Sequence, residues 1–187
     1  MKELFNNRYR VPSARLDSWN YAHAGMYFIT ICTKNREAHF GNIHESALIP
    51  SEIRKIAWVE WFKAAELRPD MNIELGEFVV MPNHIHGIIM ISRNQFNKPT
   101  YSNVIEPQNH FSPQSKNLAS IIRGYKGAVS SYAKNNNIVF DWQSRFHEHI
   151  IHSEDDYQTI ATYIINNPAK WEEDSLFNIQ LNKIQYS

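Results

Sequence analysis

Apolar and polar positions follow two periods along this chain, and the switches between them mark out its elements. "GMYFITICTK" gathers β-branched and aromatic residues after Gly25, and the polar run from Lys34 closes it, which predicts a first strand over about 26–34. "PSEIRKIAWVEWFKAAEL" sets Ser51 as an N-cap behind Pro50 and carries Ile53, Ile56, Val59, Phe62 and Ala65 close to helical spacing. A helix follows the strand. "MNIELGEFVVM" and "HIHGIIMIS" are extended runs that meet at Pro82-Asn83, a dipeptide suited to a tight turn, so they form an antiparallel hairpin.

From Ser92 to about Ser115 the chain is polar and aperiodic, with Pro99, Pro107 and Pro113, which predicts a long loop over about 92–116. Helical spacing returns through Leu118, Ile121, Ile122, Tyr125, Val129 and Tyr132, although Gly124 and Gly127 lower the local propensity. "SRFHEHII" then reads as a strand. "SEDDYQTIATYIINNP" reads as a last helix, with Ser153 and Asp156 set for a capping box and Pro168 limiting its end. The order strand, helix, strand, strand, helix, strand, helix matches in its first six elements the split βαβ arrangement. The fold class is therefore α+β and ferredoxin-like: an antiparallel sheet with helices packed on one face, plus a C-terminal helix. No internal repeat is visible, and 172–187 is a weakly determined tail.

Composition narrows the picture. A chain of 187 residues is most simply one domain. Lys plus Arg equals Asp plus Glu at 19 each, so no global positive field announces nucleic acid or an anionic membrane, and any basic surface is local. The single cysteine, Cys32, sits in an apolar run as a small core residue and can form no intramolecular disulfide. The N-terminus lacks the apolar core of a signal peptide, and no stretch approaches 18 uninterrupted apolar residues. These features predict a soluble, cytoplasmic protein with no membrane partner. Aromatic residues, at 13%, suit either a generous core or stacking surfaces.

Candidate chemistry begins in "FVVMPNHIHGIIMI". Period-two geometry puts His84, His86, Ile88 and Met90 on one face of a strand, so two imidazoles stand side by side. That pair can chelate a divalent ion. A bare H-x-H is also met as core histidines bonded to backbone carbonyls, and a further ligand would change the balance. In the last helix Tyr157, Ile160, Ala161 and Ile164 form the buried stripe, while Tyr163 and Asn167, four apart, share a flank. Pro168 biases Asn167 away from the α region. His147 and His149 repeat the H-x-H spacing and rank below the first pair. Tyr157, Tyr125 and Tyr132 lie on buried stripes and are read as core.

"MPNHIHG" after an apolar strand, followed in order by "NLASIIRGYKGA", "WQSRFHEHII" and "YIINNPAKW", resembles the single-tyrosine HUH transposases of the REP-associated tyrosine transposase type. "RLDSWNYAHAGMYFITICTKNREAHFG" is similar to that family's N-terminal strand, so the resemblance covers roughly residues 8 to 171. It implies that His84 and His86 are metal ligands, that Tyr163 is the nucleophile, and that Asn167 helps hold the metal. It also implies cleavage and rejoining of single-stranded DNA beside a hairpin through a 5′-phosphotyrosine linkage. Two imidazoles with an amide oxygen would accept Mg²⁺ or Mn²⁺, with Mn²⁺ the better match to nitrogen ligands. Arg8, Arg10 and Arg15 in the N-terminal arm, with Arg123, Lys126 and Arg145, are the candidates for the DNA backbone. Trp19 and Tyr21 are candidates for stacking on unpaired bases. Two other classes compete: a catalytically silent single-strand binding module on the same sheet, and a metal-dependent hydrolase that uses water. A monomer and a homodimer are both compatible with the sequence.

Overall fold

The computed structural model describes residues 24–44, 47–97, 115–174 and 176–177. Its elements are β1 (Gly25–Cys32), β2 (Gly41–His44), β3 (Ala47–Pro50), α1 (Glu52–Glu66), β4 (Ile73–Val80), β5 (His84–Ile91), α2 (Leu118–Asn135), β6 (His147–Ile151) and α3 (Glu154–Asn166). The main sheet has the order β4-β5-β1-β6 and is antiparallel throughout. With the small β2-β3 hairpin set aside, this is the ferredoxin-like order expected from the sequence.

The central strand β5 is buried on both faces, its neighbour β1 fully on one and partly on the other, and each face of the sheet has its own cluster. On one, Tyr27, Ile29, Ile31, Ile85, Ile89 and Ile91 pack against α1 and α2 through Ile53, Ala57, Trp61, Leu118, Ile121, Ile122, Tyr125 and Val129. On the other, Val79, Met81 and Ile88 meet Ala161 and Ile164 of α3 together with Trp171. Alternation of side chains along a strand separates these sets, so β5 sends Ile85, Ile89 and Ile91 to the layer of α1 and α2, and His84, His86 and Ile88 to the α3 side.

Local chemistry fixes the ends of the helices. The Ser51 hydroxyl accepts from Arg54 N–H at 3.3 Å, as the sequence predicts for an N-cap. Asn117 and Ser120 form a reciprocal capping box at α2. At α3 Ser153 accepts from Asp156 N–H at 3.1 Å, but the Asp156 carboxylate turns to His152 N–H, so the expected box is half made. No helix among the described residues is long and apolar enough to cross a membrane.

Three expectations are corrected. The β2-β3 hairpin was not expected, because its four-residue strands are too short to show a period. On α1 the buried residues are Ile53, Ala57, Trp61 and Ala64, while Val59 and Phe62 are exposed. A run of i+3 steps drifts by about 60° per step on a helix turning about 100° per residue, so a stripe of threes leaves the core face. Asn167 keeps α geometry (φ −55°, ψ −43°) despite Pro168, which opens a 3-10 turn over Pro168–Glu173 in place of breaking the course of the chain.

Gly87 shows how tightly α1 meets the sheet. The Trp61 and Phe78 rings stack at 4.4 Å, and a Cβ on Gly87 would lie 2.4 Å from Trp61 Cζ2. Gly87→Ala is expected to destabilise the protein by about 1–3 kcal/mol through overpacking, read as a lower denaturation midpoint. An unchanged midpoint would mean that this close approach is not a packing constraint.

Candidate active site

Four elements meet at one end of the α3 face. β5 brings His84 and His86, the C-terminal part of α3 brings Tyr163 and Asn167, β1 brings Phe28 and Thr30, and the turn after α3 brings Trp171 and Asp174. The pairing of β1 with β5 sets Thr30 opposite His86 and Cys32 opposite His84.

His84 is fully buried. Its Nδ1 lies 2.8 Å from Asn83 Oδ1, and Asn83 Nδ2 donates to the Leu176 carbonyl at 3.2 Å, which fixes the amide. A carbonyl oxygen only accepts, so Nδ1 carries the proton and Nε2 presents its lone pair. That Nε2 is buried without a hydrogen-bond partner. His86 Nδ1 lies 2.8 Å from Thr30 Oγ1, and its Nε2 lies 3.1 Å from the Tyr163 hydroxyl. Asn167 Nδ2 donates to Asp174 Oδ2 at 3.1 Å, which leaves Asn167 Oδ1 as a second buried acceptor without a partner.

These groups are suited to a cation. Ligand atoms of His84, His86 and Asp174 lie within 4.8 Å of one another, and the two orphaned lone pairs of His84 and Asn167 are what an electrophile would satisfy. Burial is the main cause that lowers His86 to about 4, partly offset by the Asp174 carboxylate. Burial first, then His86 and Arg36, holds His84 well below its usual range. Both imidazoles are neutral at pH 7, the form that ligates metals. Tyr163 is raised to about 12, first by burial and then by Asp174. Its side chain is nevertheless 45% exposed, so the phenol is reachable from solvent.

The structure thus brings together Tyr163, His84, His86 and Asn167, and it adds Asp174, which lies in the stretch that the sequence left as tail. Three tyrosines weighed against Tyr163 are held elsewhere: Tyr157 donates to Glu77 at 2.8 Å, Tyr125 to the Ala57 carbonyl at 3.1 Å, and Tyr132 to Glu52 at 2.6 Å. His147 and His149 are exposed on β6, and His149 leans on Asp156 at 3.4 Å. Among the cationic candidates, Arg123 and Arg145 are exposed, while the Lys126 ammonium donates to the Gln143 carbonyl and lies 6.0 Å from the Trp142 ring. Arg8, Arg10, Arg15, Trp19 and Tyr21 lie outside the described residues.

The fold has a solved counterpart. The chain is similar to a solved REP-associated tyrosine transposase bound to a REP hairpin, at TM-score 0.55 and 20% identity, covering 86% of this chain and 74% of that one. Its fold is that of the REP-associated tyrosine transposases. A proposed transposase of Deinococcus radiodurans R1, at 16% identity and TM-score 0.38 over 83% of this chain and 97% of that one, adds no weight. No family model matches the chain. An uncharacterised protein of Haemophilus influenzae is 39% identical over 170 residues, covering 88% of this chain and 92% of that protein. The chain belongs to the same family as this Haemophilus protein.

Neutral buried histidines make a pH prediction. The native His86 value, about 4, lies below the unfolded value near 6.5, so between those limits the unfolded chain binds more protons and stability falls as pH falls. At about 1.4 kcal/mol per unit the loss for His86 alone is on the order of 3 kcal/mol. Urea midpoints of the metal-free protein are expected to drop from pH 7 to pH 4.5, and the drop should shrink in His86→Gln. A flat wild-type profile would contradict burial of the neutral form.

Proposed function

We propose that this protein is a metal-dependent endonuclease and strand transferase for single-stranded DNA, acting beside hairpins through a 5′-phosphotyrosine intermediate with Tyr163 as nucleophile. One observation carries the reading: the Tyr163 hydroxyl lies 3.1 Å from His86 Nε2, beside the unpartnered His84 Nε2 and Asn167 Oδ1. The hairpin bound by the solved transposase supports the substrate class.

His84 and His86, with Asn167 or Asp174, would hold Mg²⁺ or Mn²⁺, which supplies positive charge to polarise a phosphate and offset charge developing on its oxygens. Tyr163 Oη forms the new bond to phosphorus as the bond to the 3′ oxygen breaks, and that oxygen leaves as a 3′-hydroxyl after taking a proton from solvent. The phenol proton has an acceptor within reach at Asp174 Oδ2, 3.4 Å away. Phenolate is a better leaving group than an alkoxide because the phenol is far more acidic, so a 3′-hydroxyl can later displace Tyr163 and reseal a strand without a nucleotide cofactor. Phe28 meets the Tyr163 ring edge-on at 6.1 Å and limits where the phenol can lie.

The test mixes wild type and Tyr163→Phe with labelled hairpin DNA taken from beside the gene, in Mn²⁺ or EDTA, and looks for denaturant-resistant adducts. The expected result is an adduct that needs metal and falls to background in the variant. Cleaved DNA without a protein link, retained by Tyr163→Phe, would favour the hydrolase; binding without cleavage would favour the silent module.

A second measurement isolates the metal. Mn²⁺ at about a hundred times its dissociation constant should stabilise Tyr163→Phe by about 2.7 kcal/mol, seen as a raised melting temperature. That shift is expected to vanish when His84→Ala is added. If it persists unchanged, His84 is not a ligand.

A further inference from the structure

Among the described residues, the sheet face that carries the histidines is only partly covered. α3 and Trp171 pack with Val79, Met81 and Ile88 on the β4-β5 side, and Ile151 at the end of β6 is buried in the same cluster. Beside Tyr163, however, Phe28 and Thr30 of β1 stay half-buried and their cross-strand partners His149 and His147 stay exposed. Phe28 is in ring contact with both His86, at 5.2 Å, and Tyr163, at 6.1 Å, so this strip is continuous with the candidate active site.

We propose that the strip formed by Phe28, Thr30, His147 and His149 is the seat of the unpaired nucleotides next to the phosphate that Tyr163 attacks, held by stacking on ring faces. The inference rests on the proposed function and adds where the single strand lies and what holds it. Its chemistry follows from what the strands present there. On this face β1 offers Met26, Phe28, Thr30 and Cys32, and β6 offers His147, His149 and Ile151. These residues include no lysine or arginine, and the whole chain is neutral with 19 cationic and 19 anionic side chains. A polyanion therefore gains little from charge along this strip, whereas every base has a π-face that an aromatic or imidazole ring can meet. A duplex stem keeps its bases stacked on one another, so a platform of this kind selects unpaired nucleotides. Thr30 and His147, paired across the strands, add polar groups to the strip.

The test uses Tyr163→Phe, which binds without reacting, and two labelled oligonucleotides from beside the gene: a hairpin with an unpaired flank and the same hairpin trimmed blunt. Fluorescence anisotropy gives both affinities over a salt series. Adding His147→Ala and His149→Ala is expected to weaken the flanked hairpin about five- to tenfold and to leave the blunt one unchanged. His149→Phe should restore affinity for the flank, with the same shallow salt dependence. Equal affinity of the alanine variant for the flanked hairpin would overturn the proposal. So would failure of His149→Phe to rescue together with a salt slope that falls in the alanine variant, because the contact would then be ionic. If Tyr163→Phe binds neither DNA, the proposal falls together with the proposed function; if it binds both and the wild-type protein forms adducts, only the placement of the strand is at stake.

Discussion

Everything at the site depends on β5 being a central strand that is buried on both faces. A strand with water on one side would leave His84 and His86 solvated, with ordinary affinities for protons and no fixed direction. Here Ile85, Ile89 and Ile91 anchor one face in the layer of α1 and α2, and a slip of one residue would exchange isoleucines for histidines in both cores. Register is therefore specified twice. The imidazoles inherit that precision, since their rings sit on a backbone that cannot shift without breaking both clusters.

The second requirement is that the tyrosine helix return to the same place. α3 is tied to the sheet through Ala161 and Ile164, and Tyr157 adds a hydrogen bond to Glu77 of β4. Beyond its end the 3-10 turn doubles the chain back, so that Trp171 lies 5.8 Å from the His84 ring and Asp174 reaches Asn167 and Tyr163. Leu176 closes the circuit: its N–H donates to Asp174 Oδ1 and its carbonyl receives Asn83, which in turn orients His84. The segment after α3 thus serves the histidine strand and the tyrosine helix at once.

Much of this was legible in the sequence because it is periodic. Alternation placed His84 and His86 on one face, and the helical repeat placed Tyr163 and Asn167 on one flank, which needs only local geometry. The pairing of those two flanks came from motif order and not from period, because contacts across 77 residues leave no periodic trace. Asp174 was not legible at all. Its position depends on Asn167 staying helical before Pro168 and on the turn that follows; the proline bias pointed the other way. The acid in "KWEED" that reaches the site is one of three neighbours of like kind, and nothing local singles it out. The i+3 reading of α1 failed for a related reason: Trp61, hidden between Glu60 and Phe62, is the residue that stacks on Phe78, and only the three-dimensional closeness of Gly87 makes room for it.

The site also conflicts with the rule by which the rest of the protein is stable. Around Tyr163 acceptors converge, namely His84 Nε2, His86 Nε2, Asn167 Oδ1 and the Asp174 carboxylate; donors from Asn167 and Leu176 reach the carboxylate and the phenol reaches His86, but His84 Nε2 and Asn167 Oδ1 have no donor. Buried acceptors without donors cost stability, and like lone pairs facing one another add to that cost. Replacing one of them with an apolar residue would relieve it, so their retention is not a packing solution. The aliphatic clusters on both sides of β5 offset the penalty and hold the acceptors in place. An array of lone pairs held rigid against its own preference is suited to an electrophile that carries positive charge.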